Sequence, residues 1–249
     1  MVAWGVRRNH KGGGAIVPHR RAAKGPRPPG RPYHAAMHPS HPSLPGPALV
    51  PATIDFSAPS HEVARRLIGV TLLVDGVGGR IVETEAYDQA DPASHTFGGP
   101  TARNAAMFGP PGRAYVYRSY GLHWCINAVC RESGHGAGVL LRALEPTHGL
   151  AVMQARRGGV QDARLLCAGP GRLAQALGID AGFNHQPLDA PPFALLEPAP
   201  AHRPLLDVVA GPRIGISKAV EVPWRFGLRG SRYLSRGFGA AAGAAGAAQ

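Results

Sequence analysis

Lysine is nearly missing from the body of this chain: beyond residue 50 there is one, Lys218. Schiff-base chemistry needs an amine in the pocket, which leaves Lys218 or an N-terminal amine on a long arm, so water is the expected nucleophile. Cysteine is scarce as well. Cys125, Cys130 and Cys167 form no CxxC pair, and their odd number argues against a disulfide framework. Free thiols in a reducing compartment fit that usage. No apolar run approaches the ~18 residues that span a bilayer, and the start lacks a compact apolar stretch with a cleavage site. A soluble, cytoplasmic protein without a membrane partner is expected, although an Arg-rich, acid-free start also resembles an organelle transit peptide. There is no GxxxxGK[ST] loop, no HExxH, and no His-x-Glu with Pro-Cys-x-x-Cys, which removes the P-loop nucleotide hydrolases, the zincins and the zinc deaminases.

Acidic residues are absent from the first 50 positions, where eight Arg and Lys stand alone. Most of the net charge of +12 therefore belongs to that arm. A basic, Pro/Gly/His-rich arm suits a polyanion partner, because each neutralised phosphate releases a counterion; a solvated tail without a specific role, and an artefact of start-site choice ahead of Met37, are the other readings. Residues 237–249 (GFGAAAGAAGAAQ) are a low-complexity tail. The folded domain is placed at residues 54–234.

Within the domain, Ser60–Ile68 reads as a capped helix with Val63, Leu67 and Ile68 on one face. Val70–Val74 and Arg80–Ala86 read as strands joined through Asp75-Gly-Val-Gly-Gly. Ala114–Tyr120 and His123–Val129 form a second hairpin broken at Gly121, with Gly138–Leu144 as a further strand. Thr147–Arg157 and Gly171–Leu177 read as helices, the latter reached through the Gly169-Pro170-Gly171 turn. Leu205–Val209, Arg213–Ile216 and Trp224–Leu228 read as short strands. Hairpins outnumber βαβ units, so the expected class is α+β: one domain with a curved, mostly antiparallel sheet and a protruding β-hairpin, flanked by disordered tails.

The chemistry concentrates between Arg80 and Asn127, which hold four of the chain's six tyrosines. Strand alternation sends Glu83, Glu85 and Tyr87 to one face. Two like charges at that spacing require a raised pKa or a basic partner, for which Arg80 and Arg142 are candidates. A carboxylate in a half-buried cleft can serve as general base toward water; a solvated acidic face is the plain alternative. His95 follows on a loop. Tyr115, Tyr117, Tyr120 and Trp124, with Arg113 and Arg118 beside them, fit either cross-strand packing or a surface that stacks bases and contacts phosphates. Glu83, Glu85, Asp88, Asp91 and His95 match no standard metal spacing, and no metal or cofactor is expected.

Arg80-Ile-Val-Glu-Thr-Glu-Ala-Tyr87, Ser94-His95, Arg103-Asn104, Met107-Phe108, Tyr115-Val-Tyr-Arg-Ser-Tyr-Gly121, Cys125-Ile-Asn127, Val139–Pro146, Leu166–Leu173 and Arg213–Ile216 follow the order of motifs in the alkyladenine (3-methyladenine) DNA glycosylases, which the chain resembles from about Ile54 to Leu234. The resemblance implies an enzyme of base excision repair that flips alkylated or deaminated purines out of double-stranded DNA and hydrolyses the N-glycosidic bond, without lyase activity. It implies Glu85 as the base that activates water and Arg142 as a residue orienting the water or the lesion nucleotide. It also implies Tyr87, His95, Tyr117, Asn127 and Leu140 as the base pocket, with Asn127 obstructing the 2-amino group of guanine. Tyr120 is the implied intercalating wedge, and Arg118, Gly169 and Arg172 are implied phosphate contacts. A monomer is expected, nucleoid-associated if prokaryotic, with organelle or nuclear targeting by the arm left open. The loop between Tyr87 and His95 is about one residue shorter than the family pattern, and Ser217-Lys218 departs from it. Two rival readings are a metal-dependent hydrolase or nuclease built on Glu83, Glu85 and His95, and a non-catalytic nucleic-acid-binding module.

Overall fold

The computed structural model describes residues 48–202 and 204–239. The predicted arm therefore lies outside the described residues up to 47, as does the tail from 240 onward. Among the described residues, nine strands and three α-helices follow in chain order: β1 (Leu49–Pro51), α1 (Ser60–Leu67), β2 (Thr71–Val74), β3 (Val77–Asp88), β4 (Ala114–Ser119), β5 (His123–Val129), β6 (Ala137–His148), α2 (Leu150–Arg156), α3 (Pro170–Leu177), β7 (Phe193–Pro198), β8 (Val208–Gly211) and β9 (Arg225–Leu228). The strands form an antiparallel sheet in the order β1-β7-β2-β3-β6-β5-β4, with β9 beside β3 and β8 beside β9. The α+β class and the antiparallel sheet are as expected.

The β2–β3 hairpin is tighter than the predicted five-residue loop. Asp75 and Gly76 both take positive φ (48° and 77°), the primed two-residue turn whose twist matches its strands. Val77, Gly78 and Gly79 join β3 as a result. A Cβ on Gly78 or Gly79 would lie about 2 Å from the carbonyl oxygen of Leu72 or Glu145, so glycine there lets both neighbouring strands close on β3.

β3 is the axis of the domain. It pairs along one edge with β6, and along the other with β2 and then β9. Val82, Thr84 and Ala86 are fully buried, and the Thr84 hydroxyl donates to the Ala64 carbonyl of α1 at 2.9 Å. The main core gathers α1, α3 and the residues of the sheet that alternate toward them, among them Leu72, Ala86, Val116, Ile126, Val139, Leu141 and Leu144. A small second cluster of Ala106, Met107, Tyr115 and Val129, with Tyr117 against it, supports residues of opposite alternation on β4 and β5.

Some segments depart from the sequence reading. Thr147 is not a helix cap: β6 continues through His148, and α2 begins after Gly149, whose φ is +70°. Residues 213–216 are not a strand, because their polar groups are held by side chains rather than by a ladder. β1 and β7 were unforeseen, and they pair with each other. Leu49 and Val50 of β1 fall inside the predicted arm. Beyond Leu234, Phe238, assigned to the low-complexity tail, packs over the Arg225 guanidinium at 3.9 Å and lies close to Gly211 and Gly227. Cys125, Cys130 and Cys167 are free and buried. No helix of the described residues is long and apolar enough to cross a membrane.

Candidate active site

One row of paired residues runs across five strands: Arg225 on β9, Glu85 on β3, Leu140 on β6, Asn127 on β5 and Tyr115 on β4. Cross-strand partners project to the same side of a sheet, so this row lays out a wall, a floor and a second wall. With strands ~4.8 Å apart, β3 and β4 stand roughly 14 Å from each other. The intervening floor residues, Asn127 and Leu140, are short enough to leave a cleft of about 1060 Å³. Tyr87, His95, Tyr115, Tyr117, Tyr120, Arg118, Asn127, Leu140 and Arg142 all line it. Ile214, Gly215 and Ile216 close one edge.

Two bulges prepare the β3–β6 junction. The pairing passes from Ile81↔Leu144 to Glu83↔Ala143, and then to Thr84↔Leu141, so Val82 is the extra residue on β3 and Arg142 the extra residue on β6. Bulges re-aim side chains beside active sites. Here the Arg142 guanidinium donates through Nε to Glu83 at 3.0 Å and through Nη1 to Glu85 at 3.1 Å. The two carboxylates thus share one cation, and Arg142 is the predicted partner. Arg80 is not: it bonds Glu145, its neighbour on β6. Glu83 gains a second cation that sequence reasoning missed, Arg225, at 2.8 Å.

Glu85 is completely buried. Its Oε2 accepts from the Tyr87 hydroxyl at 2.8 Å and from Arg142, and its Oε1 accepts the Ile214 backbone N–H at 2.7 Å. With two lone pairs on each oxygen, one acceptor direction on Oε1 is left over. Burial raises the Glu85 pKa above its ordinary value; the Arg142 charge, the Ile214 N–H and the Tyr87 hydroxyl act against that rise. Tyr87, half-buried, is driven far above the ordinary phenol range by burial and by the neighbouring carboxylate, so it stays a donor.

The opposite wall is aromatic. Tyr115 and Tyr117 stack at 5.2 Å between ring centroids, and His95 meets the Tyr117 ring edge-on at 4.6 Å. The shortened loop does bring His95 to the cleft, because Asn104 Nδ2 donates to the His95 carbonyl at 2.8 Å and Thr96 bonds the Gly136 carbonyl at 2.7 Å. His95 as a whole is exposed, yet its ring is partly desolvated against the tyrosines; that desolvation, ahead of the Arg103 charge, lowers its pKa below the usual histidine value. The Asn127 amide donates to the Tyr115 carbonyl at 3.2 Å, which fixes it on the floor. At the hairpin tip Tyr120 takes a positive φ of 49° and is 90% exposed, with Leu122 beside it at 71%.

The outer residues are more dispersed. Arg118 lies over Trp124, its cross-strand partner, at 5.3 Å, whereas Arg113 turns away to the His185 carbonyl. Gly169 (φ +119°) leads into α3, and Pro170 reaches the cleft while Gly169 and the exposed Arg172 do not line it. Lys218 is exposed two residues past the cleft edge, and no lysine lines the cleft. The acids proposed as metal ligands are parted: Asp88 bonds His135, Asp91 pairs with Arg213, and Glu83 with two arginines. Among the described residues no three His, Cys, Asp or Glu converge. The buried Arg213, also unforeseen, holds the Ala86 carbonyl at 3.0 Å and lies 4.8 Å over the Tyr87 ring. Its only sequence sign was its place ahead of Ile214.

A family model described as methylpurine-DNA glycosylase matches residues 54–232. A protein of Nitrosospira multiformis named "Putative 3-methyladenine DNA glycosylase" is 64% identical over 189 residues, covering 75% of this chain and 94% of that protein. Proteins with the same name from Rhodopseudomonas palustris (63% identical; 72% of this chain, 87% of the relative) and Rhizobium etli (54% identical; 74% and 87%) are similar over 182 and 183 residues. The chain belongs to the methylpurine-DNA glycosylase family.

Proposed function

We propose that this enzyme removes damaged purines from duplex DNA by flipping the nucleotide into the cleft and hydrolysing its glycosidic bond with water, leaving the strand uncut. The observation that carries the proposal is the Glu85 carboxylate, fully buried behind the cleft lining and tied to three residues that do line it, through the Tyr87 hydroxyl, the Arg142 guanidinium and the Ile214 N–H. A carboxylate whose pKa is pushed toward neutrality is better matched to taking a proton from water than an exposed one. Arg142 keeps it ionised and oriented. The cleft volume of about 1060 Å³ lies at the upper end for sites that enclose a small ligand, which suits a nucleotide.

Tyr87 on one side, and Tyr117 with His95 on the other, supply flat faces for the purine, with the His95 backbone N–H directed to its 6-position. Asn127, pinned to the Tyr115 carbonyl, cannot swing aside, which supports a steric block to the 2-amino group of guanine. Tyr120 is the wedge that fills the vacated stack, since an exposed ring on a hairpin tip can enter a minor groove. Arg118, Gly169 and Arg172 are the phosphate contacts, the last two at the start of α3. N-alkylated purines are already cationic and leave readily; neutral hypoxanthine needs protonation and is the slower substrate. A cleft without lysine favours water over an amine nucleophile.

The test is a duplex oligonucleotide with a single ethenoadenine or hypoxanthine, incubated in EDTA and then treated with alkali. Strand cleavage that depends on alkali is expected. Cleavage without alkali would contradict the absence of lyase chemistry, and loss of activity in EDTA would favour a metal enzyme. Tight lesion binding with no base release would favour a binding module.

A further inference from the structure

Ser235 lies beyond the region matched by the family, yet its backbone N–H donates to Glu83 Oε2 at 2.5 Å and its hydroxyl donates to Glu83 Oε1 at 2.8 Å. The same hydroxyl accepts from Arg142 Nη2 at 3.4 Å. Arg142, Glu83 and Ser235 therefore close a ring of charge-assisted hydrogen bonds. Arg142 has one rigid fork to share between Glu83, Glu85 and Ser235. The following residues anchor this arrangement: the Arg236 carbonyl accepts from Arg225, and the Phe238 ring covers the Arg225 guanidinium at 3.9 Å.

We infer that the segment Ser235–Phe238 is a positioning latch of the catalytic centre, with Ser235 setting the orientation in which Arg142 reaches Glu85. The inference rests on the reading of Glu85 as the base. The fixed donors on Glu83 matter because it is completely buried, and a buried carboxylate that loses a donor incurs a desolvation cost that a nearby cation can relieve. Without the Ser235 hydroxyl, the donor at hand is Arg142, which then turns toward Glu83 and away from Glu85. Glu85 is faced by Arg142 from β6, Tyr117 from β4, Tyr87 and Glu83 from its own strand, Arg225 from β9 and Arg213 ahead of Ile214. Of these, Arg142 exerts the largest pull toward the ionised form, so its withdrawal lets the carboxyl titrate at higher pH.

The experiment uses the full-length chain as wild type, Ser235→Ala, Ser235→Thr and Phe238→Ala. Carboxyl carbon NMR follows the Glu85 titration, and single-turnover release of hypoxanthine from a duplex is measured across pH. In Ser235→Ala the Glu85 midpoint is expected to move up by about half a pH unit or more, and excision on the acid side to fall by the matching factor, about three-fold for each half unit. Ser235→Thr, which keeps the hydroxyl, restores both, and Phe238→Ala shifts them in the same direction. An unmoved Glu85 midpoint in Ser235→Ala, or a rate loss equal at every pH, would overturn the latch. Failure of the wild type to release hypoxanthine or ethenoadenine would instead remove the proposed function, while the NMR titration still decides the orientation of Arg142.

Discussion

The two ends of the cleft are built in opposite ways. At the β3–β6 junction Glu83, Glu85, Arg142 and Arg225 are all buried and joined to one another directly or through a shared partner. At the β4–β5 tip Tyr120 and Leu122 stand in solvent with their apolar surface uncovered. The first arrangement is over-determined. Moving any member strands a charge, so these groups hold their geometry whether or not the cleft is occupied. The second arrangement has little to lose when it moves, and it keeps exposed apolar surface for something that arrives later. On the proposed function, chemistry and capture are thereby separated along one sheet, with the aromatic wall of Tyr115 and Tyr117 between them.

That contrast can be broken by mutation. Glu83→Ala would leave Arg142 and Arg225 without their shared acid, and a loss of about 3–5 kcal/mol in chemical denaturation is expected; a loss below 1 kcal/mol would show that the buried cluster is not over-determined. Tyr120→Ala should leave the unfolding midpoint in place while weakening binding to an abasic-site duplex by ~1–3 kcal/mol, and unchanged affinity would end its role as wedge. Asn127→Ser should raise release of undamaged guanine with little change in hypoxanthine excision; an unaltered guanine background would refute the steric block. The smallest effect belongs to the arm. Removing residues 1–47 should flatten the salt dependence of DNA binding and spare single-turnover excision, so a collapse of the chemical step would give the arm a further role.

The hairpins were legible because their signals are local: Asp75-Gly76 fits a two-residue turn, and alternation placed Glu83, Glu85 and Tyr87 together. The motif order pointed to Glu85 and the pocket; Tyr87, His95, Tyr117, Asn127 and Leu140 line one cleft, and Glu85 lies buried behind it, bonded to Tyr87 and Arg142. What was illegible came from distance. Arg225 and Ser235 reach Glu83 from 142 and 152 residues away, and Arg213 reaches Asp91 from 122, with no periodicity to announce them. β1 and β7 are short and acquire strand character only by pairing with each other and with β2. Residues 213–216 look apolar enough for a strand, but the Ile214 N–H is committed to Glu85 and the Arg213 side chain to Asp91 and the Ala86 carbonyl, so no ladder forms. Thr147 reads as a helix cap until Glu145 and Pro146 are seen paired against Arg80 and Gly79, which carries β6 beyond it.

The central claim is that the buried Glu85 carboxylate activates the attacking water. Its most direct test is Glu85→Gln, which keeps the shape and removes the base, measured side by side for binding to an ethenoadenine duplex and for single-turnover base release. Affinity within a few-fold of wild type is predicted, together with a fall in release of roughly 10²–10⁴-fold, and in the wild type a rate that declines as pH drops through a midpoint above the ordinary glutamate value of 4.5. Base release by Glu85→Gln at the wild-type rate, with the same pH profile, would contradict the account.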